Sequence, residues 1–164
     1  LRDVTLAHGQ QYNAAAVGEV NVVTKMKETN TVIGGEGNGG VIYPESHYGR
    51  DALVGVGLFL SHFVAEGKSM TVLKATYPQY FISKNKLTLS PDMDVDKILE
   101  GLKKKYASEE ITDIDGVKID FKDGWVHLRK SNTEPIIRIY SESKDEAAAN
   151  QLAEEVIKVA QSLY

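Results

Sequence analysis

The chain has 164 residues, with 19 lysines and arginines against 23 aspartates and glutamates, which gives a formal net charge of −4. Because the basic residues lie among acids and form no run, the composition argues against a nucleic-acid-binding surface but permits a local anion site. The chain has no cysteine, hence no disulfides or thiolate ligands, and no uninterrupted apolar run of about 18 residues, so we expect a cytoplasmic protein without a membrane span.

Helix and strand patterns alternate in the first half of the chain, as is typical of an α/β domain. Residues 2–7 predict a short strand, residues 18–28 a helix, and residues 31–34 a strand that leads into a glycine-rich loop. Residues 41–43 predict the returning strand. The long apolar run from Arg50 to Gly67 predicts a helix that ends at the glycine.

The pattern changes near residue 76, which predicts one domain over residues 1–75 and a second over residues 76–164. The second domain is predicted to contain strand patterns at 80–83 and 86–89, a helix over about 94–106, strands at 117–121, 125–129 and 136–140, and a final helix. This βαβββα order predicts an α+β domain in which both helices cover one face of an antiparallel sheet.

Local signals predict how the last elements of this domain begin and pack. Asp123-Gly124 is typical of a hairpin turn, and Ser143 with Glu146 predicts a capping box at the start of the final helix. The predicted buried side chains of that helix are Leu152, Val156, Val159 and Leu163.

An acidic run and a histidine each have a structural and a functional interpretation. Asp92, Asp94 and Asp96 lack the glycine and glutamate of a calcium loop, so we favour capping of the following helix, with Asp92 or Asp94 as the N-cap. His47 follows the glycine-rich loop closely, and either a site role or capping of the long helix fits its position.

The glycine-rich loop at residues 34–40 carries two side chains that can hydrogen-bond to a sugar. Its glycines let the backbone approach a ligand closely, while the Glu36 carboxylate and the Asn38 amide can bind hydroxyl groups. The alternative is a flexible turn between two strands. The glycine spacing matches neither a dinucleotide-binding fingerprint nor a Walker loop.

A second loop, Arg129–Pro135, has the chemistry of a phosphate site. Arg129, Ser131, Asn132 and Thr133 place a guanidinium, two hydroxyls and an amide within five residues, a combination that suits the several acceptor oxygens of a phosphate. Arg138 in the next strand can flank the same turn. The alternative is an ordinary hairpin connection whose polar side chains bond their own backbone.

Gly35–Gly40 and Arg129–Pro135 together resemble the α-D-phosphohexomutase family of phosphoglucomutases, phosphomannomutases and phosphoglucosamine mutases. The resemblance covers nearly the whole chain. It implies the C-terminal part of a four-domain enzyme, with part of an α/β domain 3 followed by a complete domain 4 of the TBP-like fold. The start at Leu1, within mid-domain sequence, likewise suggests a piece of a longer protein.

The resemblance also implies roles for individual residues. Glu36 and Asn38 would bind the sugar hydroxyls, with Glu19 as a further contact, and the Arg129 loop with Arg138 would bind the substrate phosphate. The phosphoserine and the Mg²⁺-binding aspartate loop of the family lie in the first two domains, so neither a catalytic residue nor a metal site is expected here.

The implied partners are a hexose phosphate, the hexose 1,6-bisphosphate intermediate and the preceding domains of the same protein. The implied activity is the interconversion of hexose 6-phosphates and hexose 1-phosphates, with this part inactive alone. Two alternatives stay open at this point: a non-catalytic phosphosugar-binding or regulatory module, and a purely structural α/β pair.

Overall fold

The computed structural model describes residues 1–90, 93–131 and 133–163. The chain forms two compact units, Leu1–Pro78 and Gln79–Tyr164. In the described residues, no helix has the length and apolar character needed to cross a membrane.

The first unit combines four helices with a small three-stranded sheet. Its elements are α1 (Arg2–Ala7), α2 (Glu19–Thr29), β1 (Gly34–Gly35), β2 (Val41–Tyr43), β3 (His47–Arg50), α3 (Ala52–Glu66) and α4 (Met70–Ala75). The three strands pair antiparallel in the order β1-β2-β3. The predicted helices at 18–28 and 50–67 and the strand at 41–43 are confirmed.

The start of this unit differs from the sequence-based prediction. Residues 2–7 form a helix and not a strand, because the backbone closes on itself: the N–H of Thr5 donates to the Leu1 carbonyl over 2.9 Å. A short helix satisfies its polar groups locally, whereas a strand here would need a partner strand. The strand predicted at 31–34 is reduced to Gly34–Gly35, and β3 was not predicted.

Both ends of α3 have clear stereochemical causes. The side chain of Asp51 caps the start by accepting from the backbone N–H groups of Leu53 and Val54. Gly67 ends the helix in a left-handed conformation, with φ of 60°, which a glycine adopts without steric cost.

The second unit is an antiparallel sheet with two helices. Its elements are β4 (Phe81–Thr88), α5 (Val95–Lys105), β5 (Glu110–Thr112), β6 (Val117–Phe121), β7 (Gly124–Lys130), β8 (Ile136–Ser143) and α6 (Glu146–Gln161). The strand order is β4-β8-β7-β6-β5, and every pair is antiparallel. The predicted antiparallel sheet is therefore confirmed. The strand patterns at 80–83 and 86–89 form the single strand β4, and the short β5 was not predicted.

One face of this sheet forms the core with both helices. Alternate side chains of β7 and β8, such as Val126 and Ile139, are fully buried in a cluster with Ile98 of α5 and Val156 of α6. The residues between these buried ones in each strand therefore lie on the outer face of the sheet. Burial of Val156 agrees with the prediction; Leu152 and Val159 are partly buried, and Leu163, at 37% exposure, was wrongly placed in the core.

The cap of α6 corrects the predicted capping box. Asp145, not Ser143, is the N-cap, and its Oδ1 accepts from the N–H of Ala148 over 2.8 Å. The Ser143 hydroxyl is unavailable because Ser143 still belongs to β8 and donates to the Asp123 carbonyl over 2.7 Å. The hairpin before β7 exists, but Gly124 already pairs with Phe121, so Lys122 and Asp123 form the turn.

The start of α5 supports capping as the role of the acidic run. Oδ1 of Asp94 accepts from the backbone N–H groups of Asp96 and Lys97, and Asp94 is thus the N-cap. The other candidate cap, Asp92, lies outside the described residues.

Candidate functional site

The glycine-rich loop between β1 and β2 is held together by its own hydrogen bonds. The N–H of Glu36 donates to the Gly40 carbonyl, and the N–H of Gly39 donates to the Glu36 carbonyl, each over 3.1 Å. Oδ1 of Asn38 accepts from the N–H of Gly40 over 3.0 Å. The carboxamide oxygen of Asn38 therefore stabilises the loop, and its NH2 group is the part suited to a ligand.

Arg50, at the end of β3, joins the two predicted sugar-binding glutamates. Its Nε lies 2.8 Å from Oε2 of Glu19, and its Nη1 lies 3.9 Å from Oε2 of Glu36. The backbone N–H of Arg50 also donates to Glu19 over 3.2 Å. A Cβ at Gly40 would lie 2.8 Å from Cδ of Arg50, so a larger residue there would force the arginine side chain to shift.

The side chain of Glu36 is the less exposed of the two carboxylates, at 16% against 34% for Glu19. Two carboxylates facing one guanidinium give the cluster a net negative charge. Such a cluster can accept hydrogen bonds from sugar hydroxyls or from an amino group. The predicted residues Glu19 and Glu36 are thus brought together, but through an arginine that sequence reasoning missed.

His47 supports the start of α3. Its Nε2 lies 3.1 Å from Oδ2 of Asp51, and its Nδ1 accepts from the N–H of Gly49 over 3.0 Å. The hydrogen bonds from Val54 and His47 lower the pKa of the Asp51 carboxyl below its ordinary value. Of the two interpretations of His47, these contacts favour the helix cap.

The second loop connects β7 to β8. The N–H of Ser131 donates to the Ile136 carbonyl over 3.0 Å, and Ser131 is 9% exposed. The hydroxyls of Ser131 and Thr133 are 3.5 Å apart, and the N–H of Thr133 is 3.5 Å from the Ser131 oxygen. Contacts of this length are weak, so these groups can exchange them for a ligand. Asn132, also predicted to bind phosphate, lies outside the described residues.

Arg129 and Arg138 lie directly opposite each other in the β7–β8 pairing. Each guanidinium faces one acid: Nη1 of Arg129 is 3.6 Å from Oδ2 of Asp115, and Nη2 of Arg138 is 2.8 Å from Oε2 of Glu134. Like charges opposite each other on adjacent strands are destabilising. Anionic groups beside both arginines offset that repulsion, and a bound phosphate could do the same.

Asp115 reaches Arg129 because the chain before β6 passes unusually close to β7. Gly116 has φ of 72°, and a Cβ there would lie 2.2 Å from the carbonyl oxygen of Leu128. The Asp115 carbonyl in turn lies 2.5 Å from Nε2 of His127. Asp115 was not predicted as a neighbour of the site, because no local pattern links it to β7.

No three histidine or acidic side chains of residues 1–90, 93–131 and 133–163 form a group that could hold a metal ion. Several of the acids are already engaged in caps or ion pairs, as for Asp51, Asp94 and Glu19.

Comparison with known proteins places both units in one family. Residues 1–80 match the family described as "Phosphoglucomutase/phosphomannomutase, alpha/beta/alpha domain III", and residues 86–159 match "Phosphoglucomutase/phosphomannomutase, C-terminal domain". The two matches together cover nearly the whole chain.

Individual relatives agree with these matches. A phosphoglucosamine/phosphogalactosamine mutase of Sulfurisphaera tokodaii is 38% identical over 91% of this chain and 33% of its own length. A phosphoglucomutase/phosphomannomutase of Thermococcus kodakarensis is 38% identical over 97% of this chain and 35% of its own. The chain thus spans about a third of the relatives' length.

A solved structure shares the fold. The crystal structure of a phosphoglucomutase/phosphomannomutase family protein from Burkholderia thailandensis matches with a TM-score of 0.67 at 25% identity, over 88% of this chain and 32% of that one. The chain belongs to the phosphoglucomutase/phosphomannomutase family and corresponds to its domain III and C-terminal domain.

Proposed function

We propose that this chain is the substrate-recognition part of a phosphohexomutase that interconverts hexose 6-phosphates and hexose 1-phosphates. Relatives named as mutases of phosphoglucosamine, phosphoglucose and phosphomannose support this activity. The observation that carries the proposal is the pair of opposed guanidiniums, Arg129 and Arg138, beside a loop of hydroxyl and backbone donors. A phosphate dianion suits that set of donors.

In the proposed reaction, a phosphoserine elsewhere in the protein gives its phosphoryl group to the free hydroxyl of a hexose phosphate. The product is a hexose 1,6-bisphosphate. After this intermediate reorients, its other phosphoryl group returns to the serine, which restores the phosphoenzyme and releases the isomeric hexose phosphate. Mg²⁺, which would offset phosphate charge during transfer, is likewise assigned to the rest of the protein.

The residues of this chain would bind and orient the substrate. Arg129, Arg138 and the hydroxyls of Ser131 and Thr133 would hold the phosphate that is not being transferred. Holding the distal phosphate fixes the distance and direction of the reacting hydroxyl, which is the entropic part of catalysis. The same residues would serve in both half-reactions, since the two phosphates exchange places.

The glycine-rich loop would contact the sugar ring. Glu36 and Glu19 would accept hydrogen bonds from ring substituents, and the NH2 group of Asn38 would donate one. The net negative charge of the Glu19–Arg50–Glu36 cluster is compatible with a hydroxyl or an ammonium group at the recognised position. We therefore propose hexose and hexosamine phosphates as the substrate class.

An amide NMR titration of the chain tests the phosphate part of this proposal. Inorganic phosphate should cause saturable shifts at the amides of Ser131 and Thr133. The variant Arg129→Ala should lose most of these shifts. The control variant Arg2→Ala, which removes an arginine side chain from the first unit, should retain them. Titration to millimolar phosphate without a shift at either amide would refute phosphate binding by this loop.

The sugar part is tested by adding glucosamine 6-phosphate and glucose 1,6-bisphosphate to the same sample. Each should reproduce the phosphate-induced shifts and add new ones at Glu36 and Asn38. A Glu36→Gln variant should lose the added shifts and keep those of the phosphate loop. If the sugar phosphates shift only the amides that inorganic phosphate shifts, the role proposed for Glu36 is wrong.

A further inference from the structure

A row of three cations crosses the outer face of the second unit's sheet. In the strand pairing, Lys86 of β4 lies opposite Arg138 of β8, and Arg138 lies opposite Arg129 of β7. The neighbouring residues Leu87 and Ile139 are buried in the core. All three basic residues therefore belong to the face opposite the helices.

Lys86 differs from the two arginines in its surroundings. Arg129 faces Asp115 and Arg138 faces Glu134, but in the described part of the chain Lys86 has no ion pair or side-chain hydrogen bond. Its side chain is exposed. Like charges on directly opposite residues repel across a strand pair. At Lys86 no acidic side chain of the described residues offsets this repulsion. An anion bound beside Lys86 would therefore relieve it.

The surface beside Lys86 is concave. A shallow groove of about 310 Å³ has walls formed by Lys84, Lys86, Glu134, Ile136, Arg138 and Tyr140. Its single acid, Glu134, is already paired with Arg138. The ammonium of Lys84 lies 5.7 Å from the centre of the Tyr140 ring, a distance typical of a cation–π contact. Among the described cations that line the groove, Lys86 is thus the one with neither an ion pair nor a ring contact.

We propose that Lys86 is a third phosphate-binding side chain, so that the phosphate site extends from the β7–β8 loop onto the edge strand β4. This inference rests on the proposed function of the loop. An ammonium can donate three hydrogen bonds and carries a compact charge, which suits the oxygens of a phosphate dianion that the two guanidiniums contact from the other side. The ligand class is a phosphate monoester.

A different explanation for Lys86 gives a different experimental result. Lysines on edge strands prevent the strand from pairing with a second molecule, and β4 is an edge of its sheet. If edge protection is the whole role of Lys86, a Lys86→Gln variant should self-associate while its affinity for phosphate stays unchanged. The proposal requires the reverse: weaker phosphate binding by a chain whose oligomeric state is the same as that of the wild-type chain.

The test is a titration of the chain with inorganic phosphate, followed at the amides of Ser131 and Thr133. Lys86→Gln should raise the Kd about two- to fivefold and reduce its dependence on salt, as loss of one exposed charge contact predicts. Lys86→Arg should restore the affinity. Lys97→Gln, which removes an exposed lysine of α5, should bind like the wild-type chain.

The two proposals can fail separately. If the wild-type chain binds phosphate and Arg129→Ala does not, but Lys86→Gln binds as tightly as wild type, the Lys86 inference alone is overturned. If the wild-type chain itself shows no phosphate binding, the proposed function of the loop fails and the Lys86 inference with it. Unchanged fluorescence of Trp125, the single tryptophan, would confirm that each variant is folded.

Discussion

Nε2 of His47 lies 3.1 Å from Oδ2 of Asp51, and the other oxygen of that carboxylate accepts from the N–H groups of Leu53 and Val54. Because Nδ1 of His47 accepts from Gly49, a neutral ring with its proton on Nε2 satisfies all of these contacts. His47 thereby couples β3 to the first turn of α3.

The first prediction concerns the titration of Asp51. Hydrogen bonds from Val54 and His47 hold its pKa below the ordinary 3.8. A carboxyl group whose pKa is lower in the folded than in the unfolded state stabilises the fold at pH values above its unfolded-state pKa. This stabilisation is lost as the pH falls through the folded-state pKa. The α3 cap should therefore persist at neutral pH and break only below about pH 4, as followed by the amide shifts of Leu53 and Val54.

A His47→Ala variant should raise the pKa of Asp51 towards its ordinary value, because one of the hydrogen bonds that favour the carboxylate is gone. Carbon-13 NMR of the Asp51 carboxyl measures this directly. His62→Ala is the matched control, since His62 contacts Tyr77 and not Asp51. Equal Asp51 midpoints in His47→Ala and His62→Ala would contradict the assigned role.

The second prediction is that Arg50 positions Glu36. Arg50→Ala should leave Glu19 and Glu36 without their shared cation and shift the amides of residues 36–40. The loss of stability should be small, about 0.2–1 kcal/mol, because the Arg50 side chain in both ion pairs is half exposed to solvent. Lys25→Ala, which removes the exposed pair with Glu28, is the control. If Arg50→Ala changes the amide shifts of Gly49 and Asp51 only, Arg50 does not hold the glycine-rich loop in place.

Local signals predicted those parts of the fold whose causes are local. The ends of α3 follow from Asp51 and Gly67, and the buried face of α5 follows from the helical spacing of Ile98 and Leu102. In contrast, β3 pairs with β2 through only two registered positions, and its sequence, His47–Arg50, has no strand pattern. Short strands of this kind depend on tertiary contacts that a sequence window does not contain.

In the candidate site, too, features with local causes could be predicted and features that depend on tertiary contacts could not. The two loops could be predicted because their chemistry is concentrated within a few residues, as in Arg129–Pro135. Arg50 and Asp115 could not, since their contacts with Glu36 and Arg129 bridge residues 14 apart in sequence. The opposition of Lys86, Arg138 and Arg129 depends on strand register, which is fixed only when the sheet is assembled.

The third prediction compares two glycines of the same loop. A Cβ at Gly35 would lie 2.2 Å from the Gly40 carbonyl oxygen, whereas a Cβ at Gly37 meets no atom within 4 Å. Gly35→Ala should therefore force the loop apart and cost about 1–3 kcal/mol of unfolding free energy. Gly37→Ala should change it little. Urea unfolding of the first unit, followed by the amide signals of residues 34–43, measures both.

The mechanism behind this third prediction would be wrong if the two alanine variants were equally stable. The loop would then have to adjust its backbone at Gly40 without losing the hydrogen bond from the N–H of Glu36. Retention of the Glu36 amide shift in Gly35→Ala would identify that outcome.

The last prediction is that Asp115 competes with phosphate for Arg129. The Asp115 carboxylate lies 3.6 Å from the guanidinium, so phosphate must displace it or share the arginine with it. Asp115→Asn keeps the shape of the side chain and removes the charge, and phosphate affinity should rise about two- to fivefold. Asp113→Asn removes the same charge two residues away, where the partner is Lys103 of α5, and thus controls for net charge.

Equal phosphate affinity in the two variants would mean that net charge accounts for the effect. Weaker binding by Asp115→Asn would mean that the carboxylate orients Arg129 for phosphate and does not compete with it.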